Sequence, residues 1–321
     1  MAEEITRRDF VGGAAAAAAV SLLLQSDDET QRVLRRPMPT RILGRTGARV
    51  SVIGFGSAPL GHSFQSQETF DRVVGEALDL GVNYLDTATI YDVAQARLGP
   101  IVRKHRARLF VATKTRGMTR ERVLATVEES LRLLQTDHLD LVHLHNIGDF
   151  DVDRLMEKDG PLTGLQEAKR RGWLRFIGAS GHQRVEKMLA AVKTGELDVI
   201  MPAVNFVDQH IYAYETKVLP EARRRNVGIV AMKVLGGAPG FQYRTPVPCF
   251  MPRERITDAI RYALSLPGVA TAVIGFNYVE QVRQAVAVAK AYRPLTAAER
   301  RELDSAGKTL AAAWGEHLGP V

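Results

Sequence analysis

Short apolar runs alternate along most of the chain with longer segments in which apolar residues recur every three or four positions. Short runs bounded by polar residues and glycines predict buried strands, and the longer period predicts amphipathic helices. Eight strands are predicted, at residues 52–56, 82–86, 109–113, 139–144, 176–179, 199–204, 228–232 and 270–274. A helix is predicted after each strand, at residues 68–80, 94–104, 120–134, 164–171, 183–193, 214–225, 255–266 and 280–291.

This regular alternation predicts a parallel sheet covered by helices. Eight strand–helix repeats predict a closed (β/α)8 TIM barrel of the α/β class. An open, doubly wound sheet of seven or nine strands is the alternative, but no G-x-G-x-x-G motif opens a helix in this chain. Before the barrel, Gly44 and Gly47 bracket a turn and predict an N-terminal β-hairpin. After it, the capping pattern of Thr296 and Glu299 predicts an extra C-terminal helix over residues 296–311.

The start of the chain has a different character. The motif Thr6-Arg7-Arg8-Asp9-Phe10-Val11 precedes an alanine-rich apolar run over residues 12–24. Such a pattern resembles a twin-arginine export signal, which implies the twin-arginine export machinery as a partner and a periplasmic location. The run is too short for an ordinary membrane span. No A-x-A cleavage pattern follows it, so it could stay attached as a membrane anchor; the alternative is an amphipathic or disordered N-terminus.

Residues 26–40 are polar and contain prolines, which predicts a linker. The predicted domain division is therefore a signal or anchor with its linker over residues 1–37, and the barrel over residues 38–321.

Composition narrows the functional classes. The net charge is +7, but the basic residues are spread along predicted helices, as at 169–171 and 223–225, rather than gathered with aromatic residues. This distribution indicates solvated helix faces and argues against nucleic-acid binding. The chain has one cysteine, Cys249, which excludes a disulfide within the chain and a cysteine-based metal site.

Polar side chains stand at the ends of three consecutive predicted strands. Asp86 ends one strand and Tyr91 lies five positions beyond it, while Lys114 and His145 end the next two apolar runs. Each residue alone has an ordinary structural explanation, such as a helix cap or a solvated lysine. Together they occupy the C-terminal rim of the predicted barrel, where barrel enzymes carry their chemistry.

These residues also form a family pattern. Residues 43–47, the motif Asp86-Thr87-Ala88-x-x-Tyr91, Lys114 and His145 together resemble the aldo-keto reductase family, over roughly residues 41–291. The resemblance implies an NAD(P)H-dependent oxidoreductase that reduces an aldehyde or ketone to an alcohol. A small carbonyl compound is the implied substrate, and no metal is needed.

The resemblance also implies roles for the four residues. Tyr91 would donate a proton to the carbonyl oxygen while hydride reaches the carbon. A phenol has an ordinary pKa of about 10, and the ammonium of Lys114 would lower it. Asp86 would hold Lys114 in place, and His145 would hydrogen-bond the carbonyl oxygen.

The match to the family is less complete at the positions that contact the cofactor than at the four catalytic positions. Gly181 and Met232 stand where the family commonly has asparagine and an aromatic residue, and Met201 stands in place of glutamine. Family habit favours NADPH, with NADH second, although the loop before Gln281 lacks the arginine or lysine that usually accompanies NADPH. The residues implied to bind the cofactor are Gly56, Ser57, Ser180, Met201, Met232, Lys233, Leu235, Gly236, Gly275, Phe276, Asn277, Gln281 and Gln284.

Two other functions remain open at this point. His143 and His145 are two positions apart on a predicted strand and face the same way, which is a pattern found in metal-dependent barrel hydrolases. A non-catalytic, nicotinamide-binding regulatory subunit is the second alternative. A metal site would need further ligands, for which His182 and His62 are the candidates. Without a metal, His62 is expected at the rim, and the surface is expected to hold His105, His138, His210 and His317.

Overall fold

The computed structural model describes residues 27–241 and 249–321. Its strands are β1 Thr40–Ile42, β2 Arg49–Ser51, β3 Ile53–Gly56, β4 Tyr84–Asp86, β5 Phe110–Thr115, β6 Leu139–Leu144, β7 Leu174–Gly181, β8 Val199–Pro202, β9 Gly228–Ala231 and β10 Val269–Gly275. Strands β3 to β10 pair in parallel and in chain order, and β10 pairs with β3, so the sheet is a closed barrel. The predicted (β/α)8 barrel is confirmed, and the open-sheet alternative is wrong.

The helices lie around this barrel. They are α1 Asp27–Leu34, α2 Gln67–Asp79, α3 Ala94–His105, α4 Arg120–Leu134, α5 Pro161–Arg170, α6 Val185–Lys193, α7 Leu219–Arg224, α8 Ile256–Ser265, α9 Val279–Lys290 and α10 Ala297–Trp314. Both α4 and β6 have the bounds that the sequence predicts. The capping box expected before α10 is present, because the Thr296 hydroxyl accepts the Glu299 N–H and the Glu299 carboxylate accepts the Thr296 N–H.

One predicted helix differs from expectation. Residues 214–225 form a π-helix, Tyr214–Val218, followed by the shorter α7. Pro220 stands in the first turn of α7 and has no backbone N–H to donate to the turn before it. A wider turn at this point avoids the clash that the proline ring would otherwise make.

The inward-facing side chains of the barrel form layers from the strand starts to the strand ends. At the strand starts, the Tyr84 and Phe110 rings stack with centroids 5.2 Å apart, and Phe176 stacks on Phe110 at 6.3 Å. The predicted hairpin, β1 with β2, closes this end and buries Leu43 and Val50 completely. We refer to these aromatic rings and the hairpin as the floor of the barrel.

The segment predicted as a linker contains helix α1. Its last two residues, Val33 and Leu34, are buried, and the Leu34 carbonyl accepts a hydrogen bond from Lys290 on α9 at 2.7 Å. Two adjacent apolar residues in a polar segment are enough to dock one turn, and so the linker prediction is wrong for this part. The twin-arginine motif and the apolar run after it lie outside the described residues. Within the part of the chain that the structure describes, no helix has the length and hydrophobicity of a membrane span.

Candidate active site

The ends of β4, β5 and β6 bring four polar side chains to one point of the rim. Asp86 is the last residue of β4, Lys114 is the penultimate residue of β5, and His145 directly follows β6. Tyr91 reaches the same point from the loop after β4. That loop is tied to β5, because the Thr89 N–H donates to the Lys114 carbonyl at 3.3 Å.

The amine of Lys114 is the centre of this cluster. Its Nζ lies 2.5 Å from Asp86 Oδ1, donates to the Thr87 carbonyl at 2.9 Å and donates to the Tyr91 hydroxyl at 3.4 Å. The Lys114 and Asp86 side chains are only 1% and 4% exposed. The three acceptors use the three N–H groups of an ammonium, which fixes its position.

Burial and charge act in opposite directions on this ion pair. Removal from water raises the pKa of Asp86 and lowers the pKa of Lys114, whereas the attraction between the two charges opposes both shifts. The Lys233 ammonium lowers the pKa of Lys114 further. A buried pair of this kind is costly to form and costly to break singly, which indicates a role other than stability.

The imidazole of His145 stands edge-on to the Tyr91 ring, with centroids 5.8 Å apart and planes at 88°. Burial and the Lys114 charge hold the pKa of His145 well below its ordinary value. The ring is therefore neutral at neutral pH and keeps one N–H to donate. A neutral donor beside a phenol suits an oxygen atom that gains negative charge.

His143 lies one layer deeper and is completely buried. Burial, followed by the Lys114 charge, lowers its pKa to about 3. Gly178 leaves the space for this ring, because a Cβ there would lie 2.5 Å from His143 Nδ1. Across residues 27–241 and 249–321, no three His, Cys, Asp or Glu side chains form a group that could hold a metal ion. These observations do not favour the hydrolase alternative.

A cleft of about 1130 Å³, counting its open side, begins at Asp86 and Tyr91 and crosses the ends of β8, β9, β10 and β3. It ends at the N-terminus of α9. Ten of the residues implied to bind the cofactor line this cleft, namely Gly56, Met201, Met232, Lys233, Leu235, Gly275, Phe276, Asn277, Gln281 and Gln284.

Three of the implied cofactor residues are set back from the cleft lining. The Ser180 hydroxyl accepts the Asn146 N–H at 3.0 Å, which holds the turn after His145. Gly236 is covered, since a Cβ there would lie 2.7 Å from Phe250 Cβ and from Trp314 Cη2. Ser57 is fully buried beside the end of β3, and its hydroxyl has no partner among the described residues.

Several residues outside the set implied to bind the cofactor also line the cleft. His182 lines the cleft, and burial together with the Lys233 charge lowers its pKa well below the ordinary value. The sequence signals for His182 are its place two positions after Ser180 and its candidacy as a further metal ligand. The other lining residues outside the implied set come from the rim loops and from α8, α9 and β10: Ala58, Pro59, Val234, Gly237, Ala238, Cys249, Ile256, Ile260, Val273, Ile274 and Ala285.

The far end of the cleft is polar but uncharged. The Asn277 N–H donates to Gln281 Oε1 at 2.7 Å, and Asn277 Oδ1 is buried with no partner among the described residues. The nearby Arg283 is directed away, with its Nε 2.8 Å from Glu76 Oε1. The first turn of α9 leaves backbone N–H groups that suit an anion.

One histidine prediction is wrong. The sequence predicts His317 on the surface, but its side chain is 4% exposed and its Nε2 lies 2.8 Å from Asp208 Oδ1. The Asp208 side chain is 1% exposed. The two residues are 109 positions apart, and so sequence pattern alone could not pair them.

Comparisons with known proteins agree with this geometry. The family model described as the aldo/keto reductase family matches residues 52–248. The chain is 29% identical over 280 residues to L-galactose dehydrogenase of Arabidopsis thaliana, covering 77% of this chain and 86% of that protein. It is 25% identical over 316 residues to pyridoxal 4-dehydrogenase of Microbacterium luteolum, covering 77% of this chain and 91% of that protein.

Solved structures show the same similarity. The holo form of an aldo-keto reductase from Bacillus halodurans has a TM-score of 0.71 at 26% identity, covering 88% of this chain and 100% of that one. An aldo/keto reductase from Klebsiella pneumoniae, solved with NADP and acetate, shares the fold with a TM-score of 0.68 at 21% identity, covering 83% of this chain and 94% of that one. The chain therefore belongs to the aldo/keto reductase family, and it is an NAD(P)H-dependent oxidoreductase.

Proposed function

We propose that this protein reduces the carbonyl group of a small aldehyde or ketone, with Tyr91 as the proton donor. The observation that carries the proposal is the position of Lys114 Nζ between Asp86 Oδ1 at 2.5 Å and the Tyr91 hydroxyl at 3.4 Å. Tyr91 lines the cleft, so its hydroxyl can meet a substrate placed there.

The cleft fits a nicotinamide dinucleotide. It extends from Tyr91 to the N-terminus of α9, and the Lys233 side chain lines it between these ends. Asn277 Oδ1 at the far end is a buried acceptor without a partner among the described residues, which suits a ribose hydroxyl. When bound, the reduced nicotinamide would supply the hydride.

The chain's own residues would then handle the proton. The Tyr91 hydroxyl gives its proton to the carbonyl oxygen, and the Lys114 ammonium stabilises the phenolate that remains. Asp86 keeps the amine in its place. The neutral ring of His145 donates a hydrogen bond to the carbonyl oxygen and orients the substrate.

The reverse reaction uses the same groups. The names L-galactose dehydrogenase and pyridoxal 4-dehydrogenase describe relatives that oxidise their substrates. In that direction the Tyr91 phenolate would take the proton from an alcohol while the oxidised nicotinamide receives hydride. L-Galactose and pyridoxal are therefore the first two compounds to assay, alongside a panel of simple aldehydes.

The cleft lining supports NADH over the NADPH expected from the family. A 2′-phosphate would meet Asn277, Gln281 and Gln284, which are neutral, and Arg283 is held by Glu76. A phosphate without a cationic partner binds weakly in a partly buried site. Titration with both cofactors measures the preference, and Gln281→Arg is expected to shift it toward NADPH. Tighter NADPH binding by the unchanged protein would contradict this choice.

The decisive variant is Tyr91→Phe. We expect it to lower the rate of carbonyl reduction by at least about 10³-fold and to change the cofactor Kd by less than about twofold. Cofactor fluorescence and a steady-state assay measure the two quantities. A wild-type protein that binds the cofactor and turns over no carbonyl compound or alcohol would support the regulatory-subunit alternative instead.

We also propose export through the twin-arginine machinery, which the motif at Arg7 and Arg8 supports. Replacing both arginines with lysine in the full chain is expected to keep the protein in the cytoplasm. Cell fractionation measures the location, and membrane washing at high pH distinguishes an attached from a cleaved N-terminus. If the wild-type protein and the double-lysine variant are distributed equally between the cytoplasm and the periplasm, the export proposal is wrong.

A further inference from the structure

The chain's last residues fold back onto the rim of the barrel. After α10, the Leu318 N–H donates to the Tyr212 hydroxyl at 2.9 Å, and that hydroxyl donates to the Gly319 carbonyl at 2.9 Å. The Arg184 N–H donates to the Pro320 carbonyl at 3.3 Å. Leu318 is buried. We call residues 315–320 the C-terminal tail.

His317 joins this tail to a line of buried polar groups. Its Nε2 lies 2.8 Å from Asp208 Oδ1, and Asp208 Oδ2 accepts the Asn205 amide at 2.6 Å. The same Asn205 amide donates to the Lys233 carbonyl at 2.9 Å. Hydrogen bonds therefore run without a break from the tail to the backbone of Lys233.

Lys233 needs such support, because its backbone is in the left-handed region at φ 55°. A residue other than glycine is held there only when its surroundings fix it. The Lys233 side chain lies in the cleft, where its charge lowers the pKa of Lys114 and of His182. The backbone conformation of Lys233 therefore sets the position of its ammonium group in the cleft.

The His317 ring also packs against two aromatic residues beside Gly236. It packs on Phe250 with centroids 4.4 Å apart and on Trp314 at 5.1 Å. The Phe250 Cβ and the Trp314 ring in turn cover Gly236. Residues 232–238, which we call the strap, are closed against residues 250–251 by the Phe250 N–H to Gly237 carbonyl bond at 3.1 Å.

We infer that His317 is a positioning residue for cofactor binding. Through Asp208 and Asn205 the C-terminal tail holds the strap over the cleft and keeps the Lys233 ammonium facing the phosphates of the bound dinucleotide. The ligand class is an anion, the pyrophosphate of a nicotinamide dinucleotide. The inference depends on the proposed function only in taking the cleft to be the dinucleotide site.

The test compares two replacements of the same ring. His317→Phe keeps the aromatic packing and removes the hydrogen bond to Asp208, whereas His317→Gln keeps an N–H donor. We expect His317→Phe to raise the Kd for NADH about tenfold, with kcat at saturating NADH changed by less than about twofold. His317→Gln is expected to bind NADH nearly as tightly as the wild type.

A second pair of variants shows whether the effect passes through Lys233. Lys233→Met removes the cation, and in that background His317→Phe is expected to weaken binding by less than about twofold. Asn205→Ala interrupts the line at its middle and is expected to match His317→Phe. It also keeps the inference testable if His317→Phe does not fold. Both losses in affinity should shrink as salt is raised, because the attraction between the ammonium and phosphate is screened.

Three results would overturn the inference. The first is an unchanged Kd in His317→Phe and Asn205→Ala. The second is a tenfold loss that persists in the Lys233→Met background. The third is His317→Gln behaving like His317→Phe with an equal drop in melting temperature, which would show that the ring only stabilises the fold. If instead the wild-type protein binds neither NADH nor NADPH, the proposed function itself fails, and so the two failures are distinguishable.

Discussion

The floor of the barrel holds a stack of three aromatic rings, of which Tyr84 and Phe110 are buried and Phe176 is half-buried, whereas the rim buries an amine, a carboxylate and an imidazole. The inward face of β5 has Phe110 at the floor, Ala112 in the middle and Lys114 at the rim; that of β4 has Tyr84 and Asp86. Two positions along β4 and four along β5 thus separate packed aromatic rings from a buried ion pair that is costly to form. The barrel can hold the charged rim because its floor is closed and well packed.

The largest expected effect comes from breaking the rim. Lys114→Met is expected to lower kcat/KM by at least about 10³-fold. Because it leaves Asp86 buried without its partner, it should also destabilise the protein by about 3–5 kcal/mol. The double variant Asp86→Asn with Lys114→Met should recover most of the stability and none of the activity. Denaturant unfolding and initial rates measure the two effects, and recovery of activity in the double variant would contradict the assigned role of the amine.

Breaking the floor should have the opposite profile. Phe110→Ala removes the middle ring of the stack and is expected to cost about 3–5 kcal/mol. Its kcat and KM should stay within about twofold of the wild type at a temperature where the variant is folded. Phe64→Ala serves as the control, because Phe64 is 55% exposed. A large loss of kcat in folded Phe110→Ala would show that packing at the floor also affects activity at the rim.

His143 lies between the two ends and should make stability depend on pH. Its pKa is lowered to about 3 in the fold, against about 6.5 in the unfolded chain. As the pH falls, His143 is therefore protonated at a higher pH in the unfolded chain than in the folded protein. The stabilisation is complete above about pH 6.5 and is lost progressively toward pH 3, by a few kcal/mol at most. His143→Leu should flatten the curve of unfolding free energy against pH over this window; an unchanged slope would contradict the buried, neutral ring.

The smallest effect concerns the hairpin that closes the floor. Gly44 and Gly47 both have positive φ, at 48° and 66°. A Cβ on Gly44 would lie 2.3 Å from the Gly228 nitrogen, whereas nothing lies within 4 Å of a Cβ on Gly47. Gly47→Ala should cost about 1 kcal/mol from its backbone alone, and Gly44→Ala should cost at least about 1 kcal/mol more. Equal melting temperatures of Gly44→Ala and Gly47→Ala would show that the close approach of Gly44 to Gly228 does not make the first substitution more costly.

The sequence predicted the rim well, and the reason is geometric. Neighbouring parallel strands end at the same edge, so Asp86, Lys114 and His145 could be placed together from their positions alone. The register bears this out, since Asp86 pairs with Ala112 and Lys114 with His143. The strand alternation likewise fixed the number of strands and their order around the barrel.

Contacts between distant parts of the chain could not be predicted in the same way. The pairing of His317 with Asp208 depends on how the tail folds back, which leaves no periodic signal in the sequence. The segment of helix α1 is part of a polar, proline-containing stretch and therefore predicts a linker, since only Val33 and Leu34 mark its buried side. The family pattern implies that Ser180 and Gly236 lie beside the cofactor, but neither lines the cleft: the Ser180 hydroxyl is bonded to the Asn146 N–H, and Phe250 and Trp314 cover Gly236.

The wall of the cleft includes Cys249, whose thiol is half-buried, with a pKa that burial raises. Since the chain has no other cysteine, a maleimide or iodoacetamide can form an adduct at a single position. Intact-mass spectrometry would then follow labelling at one known point in the wild-type protein, without any engineered probe. The labelling rate with and without a dissolved compound becomes a screen for whatever enters the cleft, including substrates that leave no change in absorbance.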